Sequence, residues 1–111
     1  MYQKLVYSLL IIFLVISCSK KAPESNIPVG KEKSFEIYKE AVEAMNKGEF
    51  FFAAKKFSES EAILPKIEYS AKASLMASYC LYLINFYPET VANLERFLNQ
   101  YPADKNVAYA H

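Results

Sequence analysis

The chain runs the same distance twice from an aromatic residue to a proline, from Phe50 to Pro65 and from Tyr87 to Pro102. Each stretch follows a turn, Gly48-Glu49-Phe50 in one case and Asn85-Phe86-Tyr87 in the other. Phe57 in the first stretch is answered by Leu94 in the second. In the segment before each turn a small residue, Ala41 or Ser78, stands where a partner must approach closely. Self-similarity on this scale means one structural unit used twice and stacked on itself, since a single unit cannot bury its own apolar face.

The period inside each unit is helical. Tyr38, Ala41, Val42 and Met45 recur at i, i+3, i+4 and i+7, while Glu36, Lys39, Glu40 and Glu43 fall off that stripe. A first helix is therefore expected from Ser34, ending at Asn46-Lys47-Gly48-Glu49 with Gly48 as a left-handed stop. A second runs from Phe50 with Ala53, Ala54, Phe57 and Leu64 in phase and Pro65 closing it. A third, from about Tyr69 to Ile84, is apolar almost all round, which predicts burial on several sides. Pro88 suits the start of a fourth, which carries Val91, Leu94, Phe97 and Leu98 and ends near Tyr101-Pro102. Asp104 is placed to cap a fifth that begins at Val107. Apolar residues do not alternate over any useful length, so the fold class is all-α, and the short connections make neighbouring helices antiparallel.

Ahead of these helices lies a leader. Lys4 precedes an apolar run from Leu5 to Ile16, and the run ends in Val15-Ile16-Ser17-Cys18. This is the layout of a secretory signal closed by a lipobox, with an aliphatic residue three before the cysteine and a small residue just before it. A bilayer span needs about 20 apolar residues, more than this run supplies. Residues 1–17 are thus expected as a lipoprotein signal peptide, and Cys18 as the lipidation site, bearing S-diacylglycerol and an N-acyl chain. Residues 18–33 form the lipidated N-terminus and a linker that holds Pro23, Pro28 and Gly30. Extended, about 15 residues reach roughly 50 Å. Residues 34–111 hold the repeats, two pairs of helices and the start of a third. Ser19, rather than Asp, next to the cysteine points to the periplasmic face of the outer membrane of a Gram-negative bacterium.

Charge excludes one class of partner. The chain has 13 Lys+Arg and 12 Asp+Glu, and loss of Lys4 with the leader leaves 12 of each. A balanced, interspersed charge lacks the clustered basic excess that nucleic acid requires. Cys80 has no partner once Cys18 is acylated, and its apolar setting reads as a small buried hydrophobe. The one histidine is His111, and the only glycines are Gly30 and Gly48, so neither a catalytic constellation nor a phosphate loop is offered. No metal-ligand cluster is read, and no cofactor is expected beyond the covalent lipid. Glu36, Glu40 and Glu43, and Glu59 with Glu61, read as solvated helix faces among lysines, whereas an acid/base pair needs burial. An enzyme is not expected.

The order small residue, Gly, aromatic, Ala, aromatic, Pro resembles the tetratricopeptide repeat, with Thr90 and Phe97 departing from it in the second unit. A lipobox followed by such repeats resembles the BamD/ComL family of outer-membrane assembly lipoproteins. The residues that carry this resemblance are Tyr38-x-x-Ala41 with Gly48, Ala53-x-x-x-Phe57, Glu95-Arg96-Phe97-Leu98-x-x-Tyr101-Pro102, and Val107-Ala108-Tyr109-Ala110. The family's members are about twice as long, so the resemblance covers the N-terminal part of their fold. It implies an α-solenoid of antiparallel helix pairs and a lipid-anchored scaffold that helps fold and insert β-barrel proteins. Implied partners are a BamA-like barrel subunit, other assembly lipoproteins, unfolded barrel substrates and the membrane through the lipid. The alternative is another tetratricopeptide envelope lipoprotein that mediates protein–protein interactions. Counting along the repeat assigns Tyr38, Val42, Met45, Leu75, Tyr79 and Tyr82 to a concave groove for partner or substrate.

Overall fold

The computed structural model describes residues 2–7 and 29–111. Residues 2–7 are helical. The lipidation expected at Cys18, and most of the leader and linker, lie outside the described residues. Five helices follow: α1 Val29–Asn46, α2 Phe50–Glu61, α3 Ile67–Leu83, α4 Tyr87–Gln100 and α5 Val107–Ala110. Among the described residues there is no strand. Each helix packs on the next in chain order. With only three residues between α1 and α2 and between α3 and α4, those pairs turn back antiparallel. The fold is all-α and tetratricopeptide-like.

The repeat is written in the backbone. Gly48 has φ 78° and Asn85, 37 residues on, has φ 64°. Around each, the same two hydrogen bonds close the helix. Glu49 N–H donates to the Ala44 carbonyl (2.9 Å) and Gly48 N–H to Met45 (3.0 Å). Phe86 N–H donates to Leu81 (3.0 Å) and Asn85 N–H to Tyr82 (3.0 Å). This is a Schellman stop, which needs a left-handed residue that Gly or Asn supplies at low cost. The residues that open the next helices match as well: Glu49 at φ −83°, ψ 63° and Phe86 at φ −84°, ψ 64°.

Two apolar clusters hold the stack. The first joins Ala41 and Ala44 of α1, Ala53, Ala54 and Phe57 of α2, and Ala77 and Cys80 of α3. The second joins Ala71 and Leu75 of α3, Phe97 of α4 and Ala110 of α5, with Leu94, Leu98, Tyr101 and Val107 against it. Alanines dominate because helices that meet on two sides approach closely only over small residues. Buried hydroxyls are satisfied within their own helices: Ser60 Oγ donates to the Phe57 carbonyl, Ser78 Oγ to Ser74 and Thr90 Oγ1 to Phe86. Thr90 thus fills the place of Ala53, at the cost of one local hydrogen bond.

Several expectations shift. The first helix begins at Val29, so residues 29–33, read as linker, are helical. Ser34, expected as its start, is buried inside it, its hydroxyl donating to the Lys31 carbonyl (2.6 Å). The third helix is buried on several sides, as expected, packing on both α2 and α4, but not through its large residues. Its buried residues are mostly small, while Ile67, Tyr69, Tyr79 and Tyr82 are exposed. Asp104 does not cap the fifth helix. Asn106 holds that position, and Asp104 Oδ1 accepts from Asn106 N–H (2.8 Å), which folds the loop instead.

Candidate functional site

A groove of about 930 Å³ opens between the first half of α1, the start of α3 and the α4–α5 connection. Its walls are aromatic. Phe35 of α1 meets Tyr69 of α3 edge-to-face at 5.8 Å, and Lys66 Nζ lies 5.8 Å from the Tyr69 ring centre. Tyr38 lines the groove from α1 and packs edge-to-face on Phe57 at 5.3 Å. Burial pushes the Tyr38 hydroxyl above its ordinary pKa, so it stays a neutral donor. Glu68, Lys72, Asp104 and Lys105 bring charges of both signs to the lining. Such a groove suits an extended peptide with bulky side chains: rings for its apolar positions, charges for its backbone and termini.

One wall of the groove is fixed by a polar clamp. Arg96 of α4 donates from two nitrogens to the two carboxylate oxygens of Glu61 on α2, each at 2.8 Å. Tyr101, which closes α4 and lines the groove, donates its hydroxyl to Glu61 Oε1 at 2.8 Å. Arg96 also donates to Asn93 Oδ1 (2.8 Å) and Ser74 Oγ (3.2 Å), and Asn93 donates to the Ser74 carbonyl (3.0 Å). The Glu61 side chain is only 8% exposed, so its charge is held by paired, bidentate hydrogen bonds rather than by water. The Glu61 hydrogen bond raises the Arg96 pKa still further. Burial, then the Glu61 carboxylate, push the Tyr101 hydroxyl up to about 12. Glu61 therefore does not lie on a solvated face, as its neighbours suggested. The Arg96 and Tyr101 of the Glu-Arg-Phe-Leu-x-x-Tyr-Pro block owe their roles to this one residue of α2. Glu59 does remain exposed, hydrogen-bonded to Lys56, which also pairs with Glu40 of α1 (3.3 Å).

The six residues assigned to a groove do not share one. Tyr38, Val42 and Met45 pack, half-buried, against the first apolar cluster, and of the three only Tyr38 lines the large groove. Leu75 is buried in the second cluster. Tyr79 and Tyr82 are 40% and 54% exposed and line, with Leu75, a separate cavity of about 300 Å³ beside α4 and α5. The stripe was read correctly as a stripe, but a helix in a stack meets neighbours on two sides, and spacing alone does not say which side is covered. Phe35, Tyr69 and Tyr101 line the large groove and were not assigned to it. Tyr101 was flagged by its block; for Phe35 and Tyr69 the sequence offers no signal beyond their being aromatic residues near the starts of the two first helices of the repeats.

Residues 31–111 match the family model described as YfiO, outer membrane lipoprotein. The chain belongs to this family. Within the YfiO match fall both repeats, the Glu61–Arg96–Tyr101 clamp and the groove. Over 108 residues, 97% of the chain, it is 33% identical to an outer membrane protein assembly factor BamD of Rickettsia prowazekii. It is 28% identical over 106 residues to the BamD of Caulobacter vibrioides. The chain spans 42% of the first of these relatives and 34% of the second. No solved structure matches it. Among the described residues no helix is long and apolar enough to cross a membrane, and no cluster of His, Cys, Asp and Glu is arranged to hold a metal ion.

Proposed function

We propose that this YfiO-family chain is a non-enzymatic scaffold in the assembly of outer-membrane β-barrel proteins. It is held by lipid on Cys18 at the periplasmic face of the outer membrane. The observation that carries this reading is the alignment of nearly the whole chain with two relatives named as outer membrane protein assembly factors. A stack of paired helices with an open groove supports it, since such stacks work by presenting surfaces rather than by chemistry. The partners are a BamA-like barrel subunit, other assembly lipoproteins and unfolded barrel proteins. The groove walled by Phe35, Tyr69 and Tyr101 receives an extended, aromatic-bearing segment of an unfolded barrel. Tyr38 and the flanking lysines provide donors for its backbone and terminus.

The test is crosslinking in cells. A photoreactive residue in place of Phe35 or Tyr69 should capture unfolded barrel substrate, and the epitope-tagged chain should co-purify with a barrel subunit of the assembly machinery. Crosslinks from Tyr79 and Tyr82 with none from Phe35 and Tyr69 would move the substrate to the other face. Absence of substrate at all four positions, with no barrel subunit recovered, would end the reading. The anchor is tested separately, by mass spectrometry of the mature N-terminus. Triacylated Cys18 is the expected species, because one acyl chain binds a membrane only marginally.

A further inference from the structure

One wall of the large groove is a single unbroken stretch of chain. Residues 100–106, the last residue of α4 and the whole connection to α5, all line it. Pro102, Ala103 and Lys105 are exposed, so packing does not hold the middle of this wall. Its shape comes from hydrogen bonds laid end to end. Asp104 N–H donates to the Tyr101 carbonyl (3.1 Å), and Val107 N–H to the Asp104 carbonyl (3.2 Å). Asp104 Oδ1 accepts from Asn106 N–H (2.8 Å). The run starts at Tyr101, and the Tyr101 hydroxyl is held in turn by Glu61 Oε1, 2.8 Å away. Glu61 belongs to α2, 40 positions earlier in the chain, and does not itself line the groove.

We propose that Glu61 is the positioning residue of this wall. It acts through Tyr101. The held hydroxyl fixes the ring, the ring fixes the backbone that starts the turn, and the turn sets residues 102–106 across the groove from α1 and α3.

The two arms of the clamp then do different things. Arg96 ties Glu61 to groups that helices already hold: Asn93 and Gln100 on its own helix and Ser74 on α3. Gln100 is part of the wall, but it is still within α4. The Arg96 arm therefore serves stability. Tyr101 stands where α4 ends, so its arm alone reaches the part of the wall that has no helix.

Two substitutions separate position from stability. Tyr101→Phe keeps the ring and removes only the hydroxyl that Glu61 holds. Glu61→Gln keeps an oxygen for that hydroxyl and removes the charge that Arg96 pairs with. Urea unfolding should rank Glu61→Gln as the less stable chain, since it loses the charge-assisted pair. Amide hydrogen exchange should rank the two the other way. Tyr101→Phe should speed exchange at Asp104, Asn106 and Val107 about tenfold or more, while Glu61→Gln leaves it near the parent rate. A probe peptide that alternates tyrosine and threonine and ends in phenylalanine reports on the groove. Its affinity should fall about tenfold with Tyr101→Phe, because a loosened wall must be ordered at binding, and should hold with Glu61→Gln. Unchanged exchange in Tyr101→Phe overturns the proposal. So does exchange that speeds in both variants in step with their loss of stability, or a peptide that binds the parent and Tyr101→Phe alike. The peptide arm rests on the groove reading above. A peptide that does not bind the parent chain ends that reading, and exchange measured without peptide still decides the role of Glu61.

Discussion

Removing the Glu61 carboxylate leaves Arg96 and Tyr101 without their common acceptor. Glu61→Ala should cost about 2–3 kcal/mol, the usual worth of hydrogen bonds to a charged group in a partly shielded site. The exposed part of Arg96 keeps the loss below that of a fully buried pair. Urea unfolding followed by circular dichroism measures it, with Glu59→Ala as the exposed control, expected to move stability by less than about 0.5 kcal/mol. The clamp also sets an alkaline limit. Tyr101 titrates near 10 in an unfolded chain and near 12 in the fold. Its folded value is raised, so its stabilisation is complete below about pH 10 and is lost as pH rises through about 12. Tyr101→Phe should lower stability at neutral pH and flatten that decline. Cys80 follows the same sign, burial lifting its thiol to about 11. At pH 8 it should react with a thiol reagent at least about tenfold more slowly in the folded chain than in denaturant. The pairing of Glu61 was not legible in its surroundings, a run of Ser, Lys and Glu, because the residue that buries it lies 35 positions away. Arg96 and Tyr101 were visible as a block; what they hold was not.

At the scale of the element, the turns decide where each helix stops. A Cβ added at Gly48 would meet nothing within 4 Å, yet its φ of 78° is one that L side chains rarely adopt. Gly48→Ala should therefore cost about 1–2 kcal/mol through backbone strain alone. Asn85 is the same joint in the second repeat. Asn85→Gly should change stability by less than about 0.5 kcal/mol, while Asn85→Ala should cost about 1 kcal/mol and free the Tyr87 hydroxyl that donates to its side chain. Chemical denaturation of the three variants checks the order. Helix existence was legible throughout, since periodicity, Gly48 and Pro88 each carry a local physical cause. The start of α1 was missed because Gly30 and Lys31 read as linker, and helix continues through them to put Ser34 in a buried place. The burial of α3 on several sides was legible, but which of its residues are covered was not, because its apolar residues were weighed together, large with small. In a stacked helix the small ones are covered and the aromatic ones face openings.

The described residues form two repeats and the first turn of a further helix. Arrays of this kind are marginal below about three units. The isolated chain should melt early, near the lower end of the mesophile range at about 45 °C. The two ends of the stack differ in kind. One side of α1 shows Glu36, Glu40 and Glu43 to solvent, while the opposite end of the array shows tyrosines and leucines. The acidic side of α1 acts as a keep-clear zone: any surface laid over Glu36, Glu40 and Glu43 must either desolvate carboxylates or bring cations to meet them, as Lys56 already does for Glu40.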